Sequence, residues 1–210
     1  LASAGRGAAS DAADATAECN CAGVTAGRVY TTKELLDGLL LVSGNDAANT
    51  LAHMLGGTDV AVAKMNAKAL QLGATGTRAG SPSGLDGPGI DGYTTPHDLA
   101  VLFRAALENP VFTAITSSPT ATFPGANGPV TLVNQDELLG RYPGMLGGKT
   151  GFTDPARKTF VGAAARDGRR LVVAMMYGLV VEGGPTYWDQ ASGLLDWGFA
   201  QDGTAGIGTL

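Results

Sequence analysis

Residues 39–51 read Leu-Leu-Leu-Val-Ser-Gly-Asn-Asp-Ala-Ala-Asn-Thr-Leu. Four apolar residues lead in and an alanine-rich helical pattern leads out, so Ser43, Gly44 and Asn45 stand at a tight joint between two apolar segments. A hydroxyl and a carboxamide are costly to bury there unless they find hydrogen-bond partners. Read structurally, the triplet is the end of one helix followed by the cap of the next, with Ser43 or Asn45 satisfying backbone groups at the joint.

Upstream, Thr31 followed by Glu34 makes a capping box, and Leu35, Leu36, Leu39 and Leu40 recur at helical spacing. This predicts a helix ending near Val42. Downstream, a second helix is expected over 46–55, closed by Gly56 and Gly57, and a third over 59–72, closed by Gly73. Glycines and prolines from Gly76 to Gly92 then break both helix and strand and predict a long ordered loop. Thr95-Pro96 opens another helix, with Leu99, Leu102, Phe103 and Ala106 as its buried stripe.

Strand character appears late. Val130–Val133 is short and β-branched, and Lys149–Thr153 leads into a hairpin of 159–165 and 171–177 turned by Arg166-Asp167-Gly168-Arg169. Thr186 and Asp189 cap a final helix through Leu195, on which Trp188 and Trp197 are expected to pack against the sheet. Helices, then antiparallel strands, then a closing helix make an α+β fold rather than an alternating one. The divisions are a loose or truncated lead-in over 1–29, one domain over 30–200 and a tail over 201–210.

At 210 residues, 44% hydrophobic and 16% charged, the chain can bury a substantial core. A net charge of -5 argues against nucleic acid or an anionic membrane as the main partner. No apolar run approaches the roughly 18–20 residues of a membrane span, and the first residues show no signal peptide. Cys19 and Cys21 are compatible with a bridge or with two free thiols, since an extended backbone sets their Cα atoms about 6.6 Å apart. His53 and His97 have no carboxylate or cysteine at ligand spacing, so no metal or cofactor is expected.

A second polar cluster, Gly147-Gly148-Lys149-Thr150-Gly151, follows about a hundred residues after the first. It is not a phosphate-binding loop, because that motif needs glycine where Pro143 stands. What remains is an ammonium and a hydroxyl beside a glycine at the start of a strand, donors suited to a carboxylate. Glycine there also lets an extended peptide approach the strand closely.

Together with Ser81-Pro82-Ser83-Gly84-Leu85-Asp86, Thr94–Leu99, Asn134–Leu139 and Trp197-Gly198-Phe199, the two triplets resemble the low-molecular-mass penicillin-binding proteins. These are D-alanyl-D-alanine carboxypeptidases, serine peptidases related to β-lactamases. The resemblance implies a β-lactamase/transpeptidase-like fold and an acyl-enzyme mechanism on peptidoglycan stem peptides ending in D-Ala-D-Ala, with β-lactams as inhibitors. It also implies an extracytoplasmic location, in the cell wall or a periplasm-like space.

By the same resemblance, Ser43 relays a proton to the leaving amine and Asn45 binds the substrate's amide backbone. Lys149 and Thr150 hold the terminal carboxylate, next to Gly151, and Lys149 biases the protonation of Ser43. The backbone N–H of Phe152 is one oxyanion donor. The family's Ser-x-x-Lys nucleophile motif is absent, since no serine of the chain has lysine three residues on. The expectation is an N-terminally truncated enzyme, lacking early strands and nucleophile helix and inactive as it stands. The alternative is a non-catalytic relative that binds D-alanyl peptides or a partner. A β-lactamase fits less well, because 76–92 holds no glutamate.

Overall fold

Thr31 forms the expected capping box: its hydroxyl accepts from the Glu34 N–H at 3.1 Å, while the Glu34 carboxylate accepts from the Thr31 N–H at 2.6 Å. The helix it starts, α1, spans Thr32–Val42. The structure is a computed structural model describing residues 2–3, 20–178 and 183–203. Two short strands, β1 (Ala2–Ser3) and β2 (Val29–Tyr30), pair just before α1. Leu35 and Leu41 of α1 are fully buried with Ile115, Leu132 and the stacked rings of Tyr30 and Phe123, whose centroids are 5.4 Å apart.

After α1 come α2 (Asn45–Met54) and α3 (Thr58–Gln71), separated by Gly56 and Gly57 at φ of 114° and 101°, values that only glycine adopts freely. The loop that follows is pinned by an Arg78–Tyr93 bridge. The buried carboxylate of Asp98 adds a second tie, accepting from the Thr77 hydroxyl at 2.8 Å.

Helix α4 (Pro96–Leu107) starts at the expected cap and proline. Its buried residues are Asp98, Ala100, Val101, Phe103 and Leu107, whereas Leu99, Leu102 and Ala106 are only partly covered. The buried stripe is thus rotated by about one position from the expected one. A short helix not foreseen, α5 (Pro110–Thr116), follows with Asn109 as cap, and its Phe112 meets Phe103 edge to face.

A hairpin of β3 (Thr120–Gly125) and β4 (Gly128–Val133) precedes the main sheet. That sheet is antiparallel in the order β5 (Met145–Thr153), β6 (Arg157–Arg166), β7 (Arg169–Met175). The β6–β7 turn places Asp167 and Gly168 at φ of 50° and 75°, the left-handed pair that a two-residue hairpin needs.

Alternation along the strands gives each face its own core. Phe160, Ala164, Val173 and Met175 meet Tyr187, Ala191 and Leu195 of α6 (Tyr187–Ala200). Val161 and Ala163 meet Phe103 and Leu107 on the opposite face. The sheet therefore lies between α6 and the α4–α5 pair.

Helix α6 carries the expected Thr186–Asp189 capping box. At its other end the Arg169 guanidinium donates to the carbonyls of Gly198, Phe199 and Gln201 at 2.9–3.1 Å. Trp188 packs edge to face on Phe160, as expected. Trp197 does not: it is 55% exposed, on the solvent side of α6. Nine positions advance a helix by about two and a half turns, so the two tryptophans cannot share a face. No single helix among the described residues is long and apolar enough to cross a membrane.

Candidate active site

The joint between α1 and α2 is tighter than the sequence implied. Ser43 takes the left-handed conformation, φ 58° and ψ 36°, and the Gly44 N–H closes back on Gly38 O at 2.9 Å. A non-glycine residue there costs about 1–2 kcal/mol and persists only where its surroundings hold it. Gly44 itself leaves no room for a side chain, since a Cβ would lie 2.9 Å from the Asp46 carboxylate and 3.0 Å from Ala22.

Asp46 supplies much of the support. It is 1% exposed, and its carboxylate accepts four backbone N–H groups at 2.8–2.9 Å: those of Ala22 and Ala47 on Oδ1 and of Gly23 and Val24 on Oδ2. Asn45, half-buried at the start of α2, adds a bond from its own N–H to Asn20 O at 2.8 Å. Residues 20–24, read from sequence as part of a loose lead-in, are instead the bed on which the Ser43 turn rests. Cys21 lies within that bed and is disulfide-bonded; Cys19 is outside the described residues.

The second triplet arrives on β5. A register irregularity between Met145 and Gly147, with Gly147 at φ 116°, brings that glycine against the Thr116 carbonyl at the end of α5. Gly148 and Gly162 are cross-strand partners, and the Phe160 ring lies over both: a Cβ on either would stand 2.6 Å from it.

Lys149, paired with Val161, projects on the α4–α5 side of the sheet, where its Nζ donates to Ser43 Oγ and to Thr150 O, the latter at 2.6 Å. Residues 106 positions apart are thereby joined. Burial pushes the Lys149 ammonium down to a pKa of about 8. Among the described residues no carboxylate forms an ion pair with it to offset that desolvation.

A strap from Asn134 to Asp136 fastens the two triplets to each other. Asn134 Nδ2 donates to the carbonyls of Thr116 and Ser118, both at 3.0 Å. Gln135 reaches both halves: its N–H donates to Leu41 O at 3.0 Å, its Nε2 to Val42 O at 3.3 Å, and its Oε1 accepts from the Thr150 hydroxyl at 3.2 Å. Asp136 is buried, with Oδ1 accepting the Leu138 N–H and Oδ2 lacking a partner among the described residues; desolvation pushes its pKa up to about 6.

The structure therefore gathers Ser43, Lys149 and Thr150, with Asn45 two residues from Ser43. Gly151 and Phe152 continue β5 opposite Thr159 and Lys158, and the Phe152 ring is 59% exposed. Asp46 and Gln135 were not singled out from sequence. Most of their partners lie far off, 22–24 positions from Asp46 and 15, 93 and 94 from Gln135, beyond any local pattern. His53 and His97 are exposed, and among the described residues no three His, Cys, Asp or Glu side chains converge.

A sequence profile for D-alanyl-D-alanine carboxypeptidases matches residues 7–178. The chain belongs to this family. It is 71% identical to the D-alanyl-D-alanine carboxypeptidase DacB2 of Mycobacterium tuberculosis over 200 residues, 95% of this chain and 69% of that protein. It is 32% identical to DacF of Bacillus subtilis over 154 residues, 72% of this chain and 39% of that protein.

The crystal structure of a carboxypeptidase from M. tuberculosis H37Rv superposes with a TM-score of 0.90 at 71% identity, over 95% of this chain and 76% of that one. A variant of the Streptomyces K15 DD-transpeptidase gives 0.84 at 26% identity, over 95% and 79%. The α+β fold expected from the order of helices and strands is thus the carboxypeptidase/transpeptidase fold. Like its relatives, this D-alanyl-D-alanine carboxypeptidase family member carries a helical region, an antiparallel sheet and a closing helix.

Proposed function

We propose that this chain forms the recognition and proton-relay wall of a serine-type D-alanyl-D-alanine carboxypeptidase acting on peptidoglycan stem peptides outside the cytoplasmic membrane. The observation that carries this reading is the Lys149–Ser43 hydrogen bond, which joins the two triplets. Lys149 and Thr150 take the terminal carboxylate of D-alanine, an ammonium and a hydroxyl against two acceptor oxygens. Asn45 binds the amide backbone of the peptide. The N–H of Phe152 is one donor to the oxyanion, the other being the nucleophile's own N–H.

In the reaction a serine oxygen attacks the carbonyl carbon between the two D-alanines and the carbon–nitrogen bond breaks. Ser43 passes a proton to the departing amine, and water then hydrolyses the acyl-enzyme. Lys149 keeps Ser43 poised, because an ammonium at hydrogen-bond distance favours an oxygen that gives up its proton. No serine of the 210 residues is followed three positions later by lysine, so by itself the chain recognises ligand without being acylated.

The intact mass after incubation with excess penicillin tests this. The chain should be unchanged, and the chain joined to a segment carrying Ser-x-x-Lys should gain one penicilloyl group. A folded joined chain that stays unmodified would favour a binding-only protein.

A further inference from the structure

The two side-chain hydrogen bonds of Gln135 fix the orientation of its amide and, through it, the Thr150 hydroxyl. Val42 O is a carbonyl and can only accept, so Gln135 turns Nε2 toward it; Oε1 then faces Thr150. Oε1 carries no proton either. The Thr150 hydroxyl must therefore spend its single proton on Gln135 while no ligand is bound.

A carboxylate is likewise an acceptor without protons. Thr150 cannot donate one proton to both at good geometry. We propose that Gln135 is a positioning residue that holds the Thr150 proton, so that every ligand must displace it and only an acceptor stronger than an amide oxygen gains from the hydroxyl. The inference rests on the proposed carboxylate-binding role of Thr150.

A charged carboxylate forms a bond roughly twice as strong as a neutral one, so exchanging Gln135 for it is favourable. Exchanging Gln135 for the neutral carbonyl of a C-terminal amide is close to even. Thr150 therefore contributes to binding an acid and contributes nothing to binding the matching amide. Without Gln135 it would contribute to both.

The test is titration of N-acetyl-D-alanyl-D-alanine and of its C-terminal amide into the chain, followed by amide NMR shifts. The proteins are the wild type, Gln135→Met, Thr150→Val and the double variant. The backbone bond from residue 135 to Leu41 O survives side-chain replacement, so the end of α1 stays tethered.

Gln135→Met should tighten both ligands about three- to tenfold, the worth of one neutral hydrogen bond. That gain should vanish in the Thr150→Val background. In the wild type, Thr150→Val should weaken the acid and leave the amide unchanged. Gln135→Ala, which also removes the acceptor, should tighten binding in the same direction should the methionine pack poorly.

Unchanged or weaker binding in both Gln135 variants, or a gain that persists without the Thr150 hydroxyl, overturns the inference alone. An acid that fails to bind the wild type, or binds Thr150→Val equally well, overturns the carboxylate reading and the inference with it.

Discussion

Asp46 accepts the N–H of Ala22 at 2.8 Å, and two further backbone bonds to Gly23 and Val24 fasten the same segment beneath the Ser43 turn. Asp46→Ala leaves those donors without their carboxylate, the one on Ala22 in a buried place and that on Val24 half-buried. Unfolding in urea should show a loss of about 3 kcal/mol or more. Amide exchange at Ala22, Gly23 and Val24 should rise before the rest of the fold opens. A variant within 0.5 kcal/mol of wild type, about the noise of surface substitutions, would mean water replaces the carboxylate at no cost.

Lys149 ties recognition to pH. With its pKa at about 8, the ammonium is lost as pH rises from 7 to 9, and affinity for N-acetyl-D-alanyl-D-alanine should fall through that window. Lys149→Met should bind weakly at every pH. The sign for stability is the opposite. Between about 8 and the unfolded lysine value of about 10.4 the unfolded chain holds more protons, so the destabilising contribution of this residue fades as pH rises. A flat affinity profile from pH 7 to 9 would refute the assignment.

Asp136 gives a second pH signature with a different sign. Its folded pKa of about 6 lies above the unfolded value, so the folded chain binds the extra proton between about 4 and 6, and this contribution to stability is lost as pH rises through that window. Asp136→Asn removes the ionisation. It should stabilise the chain by about 1–3 kcal/mol at pH 7, shrinking toward zero at pH 4. A pH-independent difference in melting between the two proteins would contradict this account.

Two glycine replacements should move stability in opposite directions. Gly148→Ala drives a methyl into the Phe160 ring and should cost about 2 kcal/mol. Gly193→Ala, on the exposed side of α6 with nothing within 4 Å, should gain about 0.5–1 kcal/mol from helix propensity. Paired melting curves decide between them. Equal effects would show that crowding at Gly148 relaxes freely.

What the sequence revealed was whatever short-range chemistry encodes. The boxes at Thr31 and Thr186, the cap and proline at Thr95-Pro96 and the Asp167-Gly168 turn each act within four residues, and each was read correctly. Helix α5 escaped because seven residues carry too little period, although Asn109-Pro110 announced its start. Strand β3 escaped because Pro124 and Gly125 disguise its end. In the site, the two triplets were legible as residue types. Their supports, Asp46 and Gln135, were not, because an aspartate or a glutamine shows no sign of a distant backbone partner.

Phe160 covering Gly148 and Gly162 couples substitutions at the three positions. The three positions fit only as a set: a larger residue at either glycine requires a smaller one at 160, and a smaller one at 160 alone leaves a void in the α6 core. A replacement at one of the three alone therefore lowers stability until a second restores the fit. The strand bearing Lys149 and Thr150 is thus held in register by packing on its far side, where Phe160 covers Gly148 and Gly162.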